Sequence, residues 1–342
     1  MGKMFKKSLL STVSISSDVA RAVELLRAGR LVAFPTETVY GLGADATNAS
    51  AVARIFAVKG RPQDHPLIVH IRRAEDLPFW AIDVPPAALV LARRFWPGPL
   101  TLILRRHSSV PDVVTGGLDT VGIRVPNHPV ALSLLEHFNG GIAAPSANRF
   151  GRVSPTEAVH VADEFGDLID FILDGGSCWV GIESTIVDFS TGRPIILRPG
   201  GIAREILEEA LNVSVPVRQD GGVRSPGQHP THYAPRARVI LVQETEVIVQ
   251  VKGLLASGCR VAVMSAHPID ALPLCVIRIP LPATLSEMAR QLYAKLRSAD
   301  AMNVDVLVAV PPHTSGLGLA IADRLRRAAG PQIHDIKTGQ GQ

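Results

Sequence analysis

The pattern of hydrophobic and polar residues over the first two hundred positions alternates between helical spacing and short apolar runs. Helical spacing predicts four or five helices, from a cap at Ser16, Ser17 or Asp18 to Gly29, then at 48–58, 86–95 and 128–138, and from Ser154 onward. The apolar runs predict strands at 31–34, 67–71, 100–104, 119–126, 142–144, 171–173, 184–189 and 194–197. This mixture predicts one α/β domain with a mixed, twisted sheet.

The pattern changes at residues 215–238, which are rich in Pro, Gly and Gln and contain few large apolar residues. Such a composition predicts an interdomain linker. Beyond it, strands and helices alternate regularly, at 239–242, 246–255, 260–264, 285–296, 306–310 and 319–329. That alternation predicts a small, Rossmann-like doubly wound parallel sheet. The predicted domains are therefore residues 1–214 and 239–342.

Composition is consistent with this division. A chain of 342 residues is long enough for two domains with separate cores. Apolar residues make up 46% of it, but Arg, Asp, Pro or Gly interrupts every apolar run before it reaches the length of a membrane span. The 3 cysteines lack zinc-ligand spacing, which favours a reducing, cytoplasmic location over a disulfide framework. The formal net charge of +4 slightly favours anionic partners such as nucleotides or RNA.

Basic residues cluster in the stretch 59–71, between a predicted helix end and a predicted strand start. Gly60 suits the left-handed end of a helix, which places Lys59 on the last helical turn. Lys59 and Arg61 would then stand on the rigid support that anion binding requires. The alternative is a solvated basic loop, because isolated Lys and Arg residues are common in loops.

Polar segments also follow other predicted strands, at the strand ends where α/β proteins usually bind ligands. Residues 35–43 combine hydroxyls, a carboxylate and two glycines. The segment 145–148 leads to 154–157, where a Ser, a Pro and a Glu are spaced as in a capped helix N-terminus. The free amides of that terminus would offer an anion site beside Ser146 and Asn148. An ordinary capped helix after a polar loop is the alternative.

Arg124 lies on a predicted strand whose alternation places it with Thr120 and Gly122 on the crowded inner face. Such an arginine either pairs with a carboxylate for structure or holds the carboxylate of a substrate, and the pattern leaves both possibilities open. The chain contains no Walker A loop, no Gly-x-Ser-x-Gly elbow, no paired zinc-ligand motif and no set of kinase loops. The candidate residues therefore suit noncovalent binding of phosphates and a small amphoteric ligand.

Several sequence elements together resemble the YrdC-like family in order and spacing over the first two hundred residues. These elements are 35–43, Lys59-x-Arg61-Pro62 with 66–71, 122–126, 145–148, 183–188 and 198–200. The linker at 225–235 and the second α/β domain resemble the long, two-domain form of the family. The resemblance implies a YrdC-like twisted mixed sheet followed by a small Rossmann-like domain.

The resemblance also implies an L-threonylcarbamoyladenylate synthase activity. Such an enzyme joins L-threonine, bicarbonate or CO2, and ATP, and it releases pyrophosphate. Mg²⁺ is implied together with ATP, held through the phosphates and without assigned protein ligands. The product would supply the threonylcarbamoyl group that a separate tRNA threonylcarbamoyl transferase complex places on adenosine next to the anticodon. Direct contact with tRNA has weaker support.

The resemblance assigns residues to three roles. The catalytic residues, expected at the surface of a cleft and facing the nucleotide phosphates, are Lys59, Arg61, Ser146 and Asn148. The residues implied for L-threonine binding are Thr38, His70, Arg124, Ala144 and Ser184. The residues implied for ATP binding are Arg61, His65, Thr120, Ser146, Ser154, Arg198, His232 and Tyr233.

The linker departs from the family pattern at Gln228 and Pro230, whereas His232 to Pro235 is intact. Because prolines bracket this segment, it is stiffer than a passive tether needs to be. We expect the segment 225–235 to fold over the nucleotide cleft as a lid, with the C-terminal domain as its anchor.

Two rival functions follow from the same residues. An RNA-binding or tRNA-binding module without chemistry would need a broad basic stripe with aromatic residues for stacking, and aromatic residues are only 5% of this chain. A carbamoyl transferase component is the second rival, since domains related to the YrdC-like family occur in carbamoylation enzymes. That function would require a further domain that generates carbamoyl phosphate.

Overall fold

The computed structural model describes residues 13–218 and 232–331. This part of the chain contains a ten-stranded sheet and a four-stranded sheet. Gln228, Pro230 and most of the segment predicted to act as a lid lie outside the described residues. No helix in the two described ranges combines the length and the apolar character needed to cross a membrane.

The ten-stranded sheet belongs to the N-terminal domain. Its strands are β1 (Ile15–Ser16), β2 (Val32–Phe34), β3 (Gly41–Asp45), β4 (Ile68–His70), β5 (Leu100–Arg105), β6 (Thr120–Arg124), β7 (Ile142–Ala143), β8 (Phe171–Leu173), β9 (Thr185–Asp188) and β10 (Ile195–Arg198). Their order in the sheet is β1-β8-β2-β3-β7-β4-β6-β5-β9-β10. The sheet contains parallel pairs, such as β4 with β6, and antiparallel pairs, such as β5 with β6. The predicted mixed sheet is therefore confirmed.

Helices cover both faces of this sheet. They are α1 (Val19–Arg27), α2 (Ala49–Lys59), α3 (Pro86–Phe95), α4 (Asp112–Thr115), α5 (Pro129–Phe138), α6 (Ala158–Phe165) and α7 (Arg204–Leu211). Side chains of α1 and α5 pack on one face, and those of α2 and α3 pack on the other. Helix α2 is bounded as its sequence predicts, because the Asn48 side chain accepts from the amide of Ala51 and Gly60 adopts a left-handed φ of 64°.

Strand β3 was not expected, since its Gly-Leu-Gly sequence indicates a loop. The structure shows why glycine stands there. A Cβ atom at Gly43 would lie 2.8 Å from Ile142 Cγ2 and 2.9 Å from Phe34 Cε1. The glycine is therefore required by close packing against β2 and β7 within a strand.

The helix predicted to begin at Ser154 instead begins at Ala158, so the predicted helix N-terminus is wrong. The Ser154 hydroxyl donates to Glu183 Oε1 at 2.7 Å, and it does not cap the helix. The observed N-cap is Glu157, which makes no side-chain capping bond. A partner distant in sequence has replaced the local one, so Ser154 does not cap the helix N-terminus that the sequence predicts.

The four-stranded sheet forms the core of the C-terminal domain. Its strands are β11 (Arg238–Leu241), β12 (Val261–Ser265), β13 (Ile277–Pro280) and β14 (Val306–Ala309), all parallel, in the order β11-β14-β12-β13. The accompanying helices are α8 (Val247–Ala256), α9 (Leu285–Ala301) and α10 (Leu317–Ala329). Helix α8 packs on one face, and α9 and α10 pack on the other, which confirms the doubly wound prediction.

The two domains share a hydrophobic cluster. Val39, Val153 and Ile182 of the first domain pack in the same cluster as Tyr233 and side chains of α9 and α10. Gly181 marks the closest approach, because a Cβ atom there would lie 2.4 Å from Arg290 Cα. The described end of the linker is also attached, since the amide of Ala234 donates to Gly151 O at 2.9 Å.

Gly181 and Gly192 provide a matched test of this interface. Both adopt positive φ, of 78° and 84°, but no atom lies within 4 Å of a Cβ built at Gly192. We expect Gly192→Ala to lower the free energy of unfolding by about 1–2 kcal/mol, the cost of the left-handed conformation alone. Gly181→Ala should cost about 1–3 kcal/mol more, because α9 must also move. Urea denaturation measures both; equal losses would contradict close packing at Gly181.

Candidate active site

Most of the predicted site residues line one cavity in the first domain, closed on one side by the end of the linker. The cavity encloses about 530 Å³, including the space at its open mouth. The predicted residues that line it are Thr38, Arg61, His70, Arg124, Ala144, Ser146, Ser184, Arg198, His232 and Tyr233. The sequence assigned no role to Thr36 and Glu183, which also line it.

Three strands bring one group of these residues together. His70 on β4 lies directly beside Arg124 on β6 in the parallel register. The amide of Ala144, just after β7, donates to Ile68 O at 2.9 Å. Burial, and then the charge of Arg124, lowers the pKa of His70 to about 3. The imidazole is therefore neutral at physiological pH.

Arg124 has a carboxylate partner within the chain. Its Nη2 lies 2.8 Å from Glu37 Oε1, and both side chains are buried. Its Nε also donates to Gly98 O at 3.3 Å. A guanidinium has five N–H donors, so these contacts leave others available at the cavity wall. The structure thus shows the structural pairing that the sequence allowed, and it leaves room for a substrate carboxylate as well.

A second cation, Arg198, is fixed against Ser184. Arg198 Nη2 donates to Ser184 O at 2.9 Å and to Ser184 Oγ at 3.1 Å. The Ser184 hydroxyl also lies 2.7 Å from Thr101 Oγ1. Burial lowers the pKa of Arg198 below its ordinary value. The guanidinium is thus held in one orientation at the wall of the cavity.

Arg61 supplies a third cation. Its Nη2 donates to Pro66 O at 3.1 Å, and its guanidinium lies 6.0 Å from the centre of the Phe150 ring. Burial lowers its pKa to about 10, so the side chain still carries its charge at neutral pH. Its buried Nε has no hydrogen-bond partner among the described residues. This donor is available to an anion.

Lys59 is not at the cleft surface, contrary to expectation. It is only 4% exposed, and its Nζ donates to Ser146 O at 2.6 Å and also to Asn148 O. Burial, reinforced by the nearby charge of Arg61, lowers its pKa well below the ordinary value. Arg61 lines the cavity but is also largely buried, at 7% exposed. In this structure Lys59 therefore holds the backbone of the 146–148 loop.

Four other predicted residues, Thr120, His65, Asn148 and Ser154, do not line the cavity. Thr120 lies at the opposite end of β6 from Arg124, about 13 Å away at the rise of a strand. His65 packs edge-on against Phe150, with ring centres 5.6 Å apart. Asn148 bonds to backbone carbonyls of its own loop, and Ser154 bonds to Glu183. Their assigned roles remain predictions, and the position of Thr120 does not favour its role.

Glu183 is the functional candidate that residue-level reasoning missed. Its carboxylate accepts hydrogen bonds from Ser154, Tyr293 and Arg324, each at 2.7 Å. Although burial opposes the negative charge, Arg324 and Arg198 lower the pKa of Glu183 to about 2. Two of the donors lie 110 and 141 residues away in sequence, so no local pattern could reveal them.

The lining is rich in donors and does not resemble a resident cation site. Across residues 13–218 and 232–331, no group of three or more His, Cys, Asp or Glu side chains is placed to hold a metal ion. Glu183 already accepts from three donors, and Glu37 contacts Arg124. The arrangement instead suits phosphate and carboxylate oxygens.

Comparison with protein families agrees with this geometry. Residues 24–200 match the family of Sua5, YciO and YrdC proteins, described as "Telomere recombination". Residues 202–330 match the family described as "Threonylcarbamoyl-AMP synthase, C-terminal domain". This chain belongs to the Sua5/YrdC family, in its two-domain form.

Members of the Sua5/YrdC family resemble this chain along nearly its full length. A threonylcarbamoyl-AMP synthase of Pyrococcus abyssi is 45% identical over 323 residues, which are 91% of this chain and 94% of the relative. Another, from Bacillus subtilis, is 41% identical over 92% of this chain and 94% of the relative. The crystal structure of P. abyssi Sua5 complexed with L-threonine matches with a TM-score of 0.86 and 41% identity, covering 93% of this chain and 97% of that one.

The buried position of Lys59 predicts a stability effect. Lys59→Met would leave two buried carbonyls without their donor, so we expect the free energy of unfolding to fall by about 1–3 kcal/mol. Lys252→Met is the matched control, since Lys252 is exposed on α8 and should change stability by less than about 0.5 kcal/mol. Urea denaturation compares the two, and an equal effect would place Lys59 at the surface as first expected.

The low pKa of His70 predicts that the free energy of unfolding depends on pH. Its pKa is depressed in the folded state, so its contribution to stability is complete above the unfolded pKa near 6.5 and is lost as the pH falls toward about 3. Within that window the stability should fall by about 1.4 kcal/mol per pH unit. We expect His70→Asn to lose less stability than the unchanged chain between pH 7.5 and pH 4.5 in urea denaturation. Parallel pH profiles would show that His70 titrates normally.

Proposed function

We propose that this chain is a threonylcarbamoyl-AMP synthase, which joins L-threonine, bicarbonate or CO2, and ATP into threonylcarbamoyl-AMP and pyrophosphate. The observation that supports the proposal is one cavity lined by Arg124 and His70 together with Arg61 and Arg198. The names of the full-length relatives and of the C-terminal domain family support the same activity.

The amino-acid end of the cavity is formed by Arg124, His70 and Thr38. The guanidinium of Arg124 suits the threonine carboxylate, which it can hold at two points. The neutral imidazole of His70 adds hydrogen bonding without a competing charge. The Thr38 hydroxyl lies 2.8 Å from Thr36 Oγ1, so its orientation is already set. Ala144 and Ser184 complete the proposed threonine site.

The nucleotide end is formed by Arg61, Arg198 and Ser146, with His232 and Tyr233 at the linker side. We propose that ATP binds here as its Mg²⁺ complex, so that the metal enters with the substrate. The buried donor of Arg61 and the fixed guanidinium of Arg198 would face the phosphates. Lys59 and Asn148 would not contact ATP; their hydrogen bonds to backbone carbonyls would hold the loop that carries Ser146 in position.

The chemistry follows from this placement. The threonine amine forms a carbamate, either with bicarbonate, which releases water, or with CO2, which releases a proton to solvent. A carbamate oxygen then attacks the α-phosphorus of ATP. The bond to pyrophosphate breaks, and the leaving group carries away the electron pair. Negative charge grows on the phosphate oxygens, where pre-positioned cations are most effective. Positioning and fixed charge would supply most of the rate, without a covalent enzyme intermediate.

The proposal extends to the cellular role. The product would pass to a tRNA threonylcarbamoyl transferase complex in the cytoplasm for modification next to the anticodon. An RNA-binding module without chemistry is the alternative. That alternative does not account for the neutral imidazole of His70, or for the placement of Arg124 in the same cavity as Arg61 and Arg198.

Product formation tests the function directly. Purified chain is incubated with MgATP, bicarbonate and labelled L-threonine, and labelled adenylate and pyrophosphate are measured together. We expect both products in equal amounts, and only when all three substrates are present. Pyrophosphate release without threonine, or no adenylate under any condition, would contradict the proposal.

Arg124 provides the selective test of the threonine end. We expect Arg124→Leu to raise the KM for threonine by about a hundredfold, on the scale of losing one charged substrate contact, while the KM for ATP changes little. The substitution is best made in a Glu37→Gln background, because it would otherwise leave Glu37 buried and unpaired. Arg105→Leu is the control, since Arg105 is exposed on the neighbouring strand β5. Equal changes in both KM values would make Arg124 a structural residue.

A further inference from the structure

A buried carboxylate at the cavity wall depends on the other domain for its partners. Glu183 precedes β9 in the first domain and is only 5% exposed. Its Oε2 accepts from the Tyr293 hydroxyl and from Arg324 Nε, both at 2.7 Å. Tyr293 lies on α9 and Arg324 on α10. Among the described residues, the C-terminal domain therefore supplies two of the three side-chain donors to Glu183.

The same two residues hold the linker at the cavity. The guanidinium of Arg324 lies 5.1 Å from the ring centre of Tyr233, and the rings of Tyr233 and Tyr293 stack with centres 5.6 Å apart. Arg324 is fully buried, and Asp323 Oδ2 accepts from its Nη1 at 2.7 Å. Arg324 and Tyr293 do not line the cavity, although Glu183 and Tyr233, which they contact, both do.

The position of Glu183 also sets the position of Arg198. Ser184, the next residue in the chain, accepts the hydrogen bonds that fix Arg198. The amide of Gly201 donates to Glu183 O at 3.0 Å, which ties this segment to the residues that follow β10. A shift of Glu183 would therefore move the hydrogen-bonding frame of a cation at the nucleotide end.

The negative charge of buried Glu183 is balanced by nearby cations. The groups that face Glu183 are the cations Arg324 and Arg198, the hydroxyls of Ser154 and Tyr293, and the side chains of Tyr233 and His232. If Arg324 were removed, Arg198 would be the remaining cation among these groups. Because a buried carboxylate needs a cation or a proton, it would then draw Arg198 away from Ser184 or take up a proton.

We propose that Arg324 and Tyr293 are positioning residues, through which the C-terminal domain holds Glu183 and Tyr233 and so aligns the nucleotide end of the cavity. This inference rests on the proposed function. It assigns the second domain a specific part in catalysis, although none of its described residues, 239–331, lines the cavity. The effect should fall on ATP more than on threonine, because Arg124 and His70 belong to other strands and only Ser184 among the proposed threonine residues adjoins Glu183.

The test compares Arg324→Met, Arg324→Lys and Tyr293→Phe with Arg326→Met. Arg326 is the matched control, because it is an exposed arginine on the same helix α10. For each full-length variant, kcat and the KM values for MgATP and threonine are measured, together with the thermal midpoint of unfolding. Tyr293→Phe keeps the stacked ring and removes only the hydroxyl, so it serves if Arg324→Met fails to fold.

We expect Arg324→Met to lower kcat/KM for ATP by about ten- to a hundredfold, the scale of a small misplacement at a reacting centre. The KM for threonine should change less than about threefold. Tyr293→Phe should show part of the same defect, Arg324→Lys should recover part of the loss, and Arg326→Met should match the unchanged chain. The acid limb of the kcat/KM profile for ATP should move to higher pH in Arg324→Met and return in Arg324→Lys.

Each outcome is decisive. If Arg324→Met and Tyr293→Phe match Arg326→Met while the unchanged chain is active, the inference alone is overturned. If kcat/KM fell equally for ATP and threonine and the pH profile did not move, the contacts would be purely structural. That result would also overturn the inference. If the unchanged chain forms no adenylate, the proposed function fails, and the inference fails with it.

Discussion

Burial of the Glu183 carboxylate constrains how the two domains can meet. Removing an ionised carboxylate from water costs several kcal/mol unless charged and hydrogen-bonding partners replace the solvent. Here Ser154 comes from the first domain, while Tyr293 and Arg324 come from the second. These directional bonds fix α9 and α10 against the segment 181–184. Gly181 permits the required approach, because any side chain there would collide with α9.

At and behind the cavity wall, several buried cations lie close together. Arg61, Arg198 and the buried Lys59 all have depressed pKa values, with burial as the leading cause and neighbouring cations adding to it. Such a cluster is electrostatically unfavourable without an anion, and a polyphosphate would relieve the repulsion. Under the proposed function, crowding and burial would prepare the wall for the phosphates of ATP before they bind.

Local signals in the sequence were sufficient for much of the fold. Asn48 and Gly60 bounded α2 because capping depends on neighbouring residues, and the alternation around Arg124 placed it facing inward on β6. The failures share one cause, which is a partner distant in sequence. Ser154 bonds to Glu183 and does not cap a helix, and Lys59 is buried under the 146–148 loop. Most of the residues that family resemblance assigned to the site line one cavity, but the resemblance did not reveal that Glu183 depends on α9 and α10.

Under the proposed function, one cavity holds an amino acid beside a nucleotide, with a separate cation for each. A crystal structure with L-threonine and a non-hydrolysable ATP analogue would test it most directly. We predict that the threonine carboxylate lies within hydrogen-bonding distance of the Arg124 guanidinium and that the triphosphate lies against Arg61 and Ser146. The account would be contradicted if the triphosphate lay instead in the interdomain cleft lined by Arg149, Arg152 and Arg236, or if threonine bound without contacting Arg124.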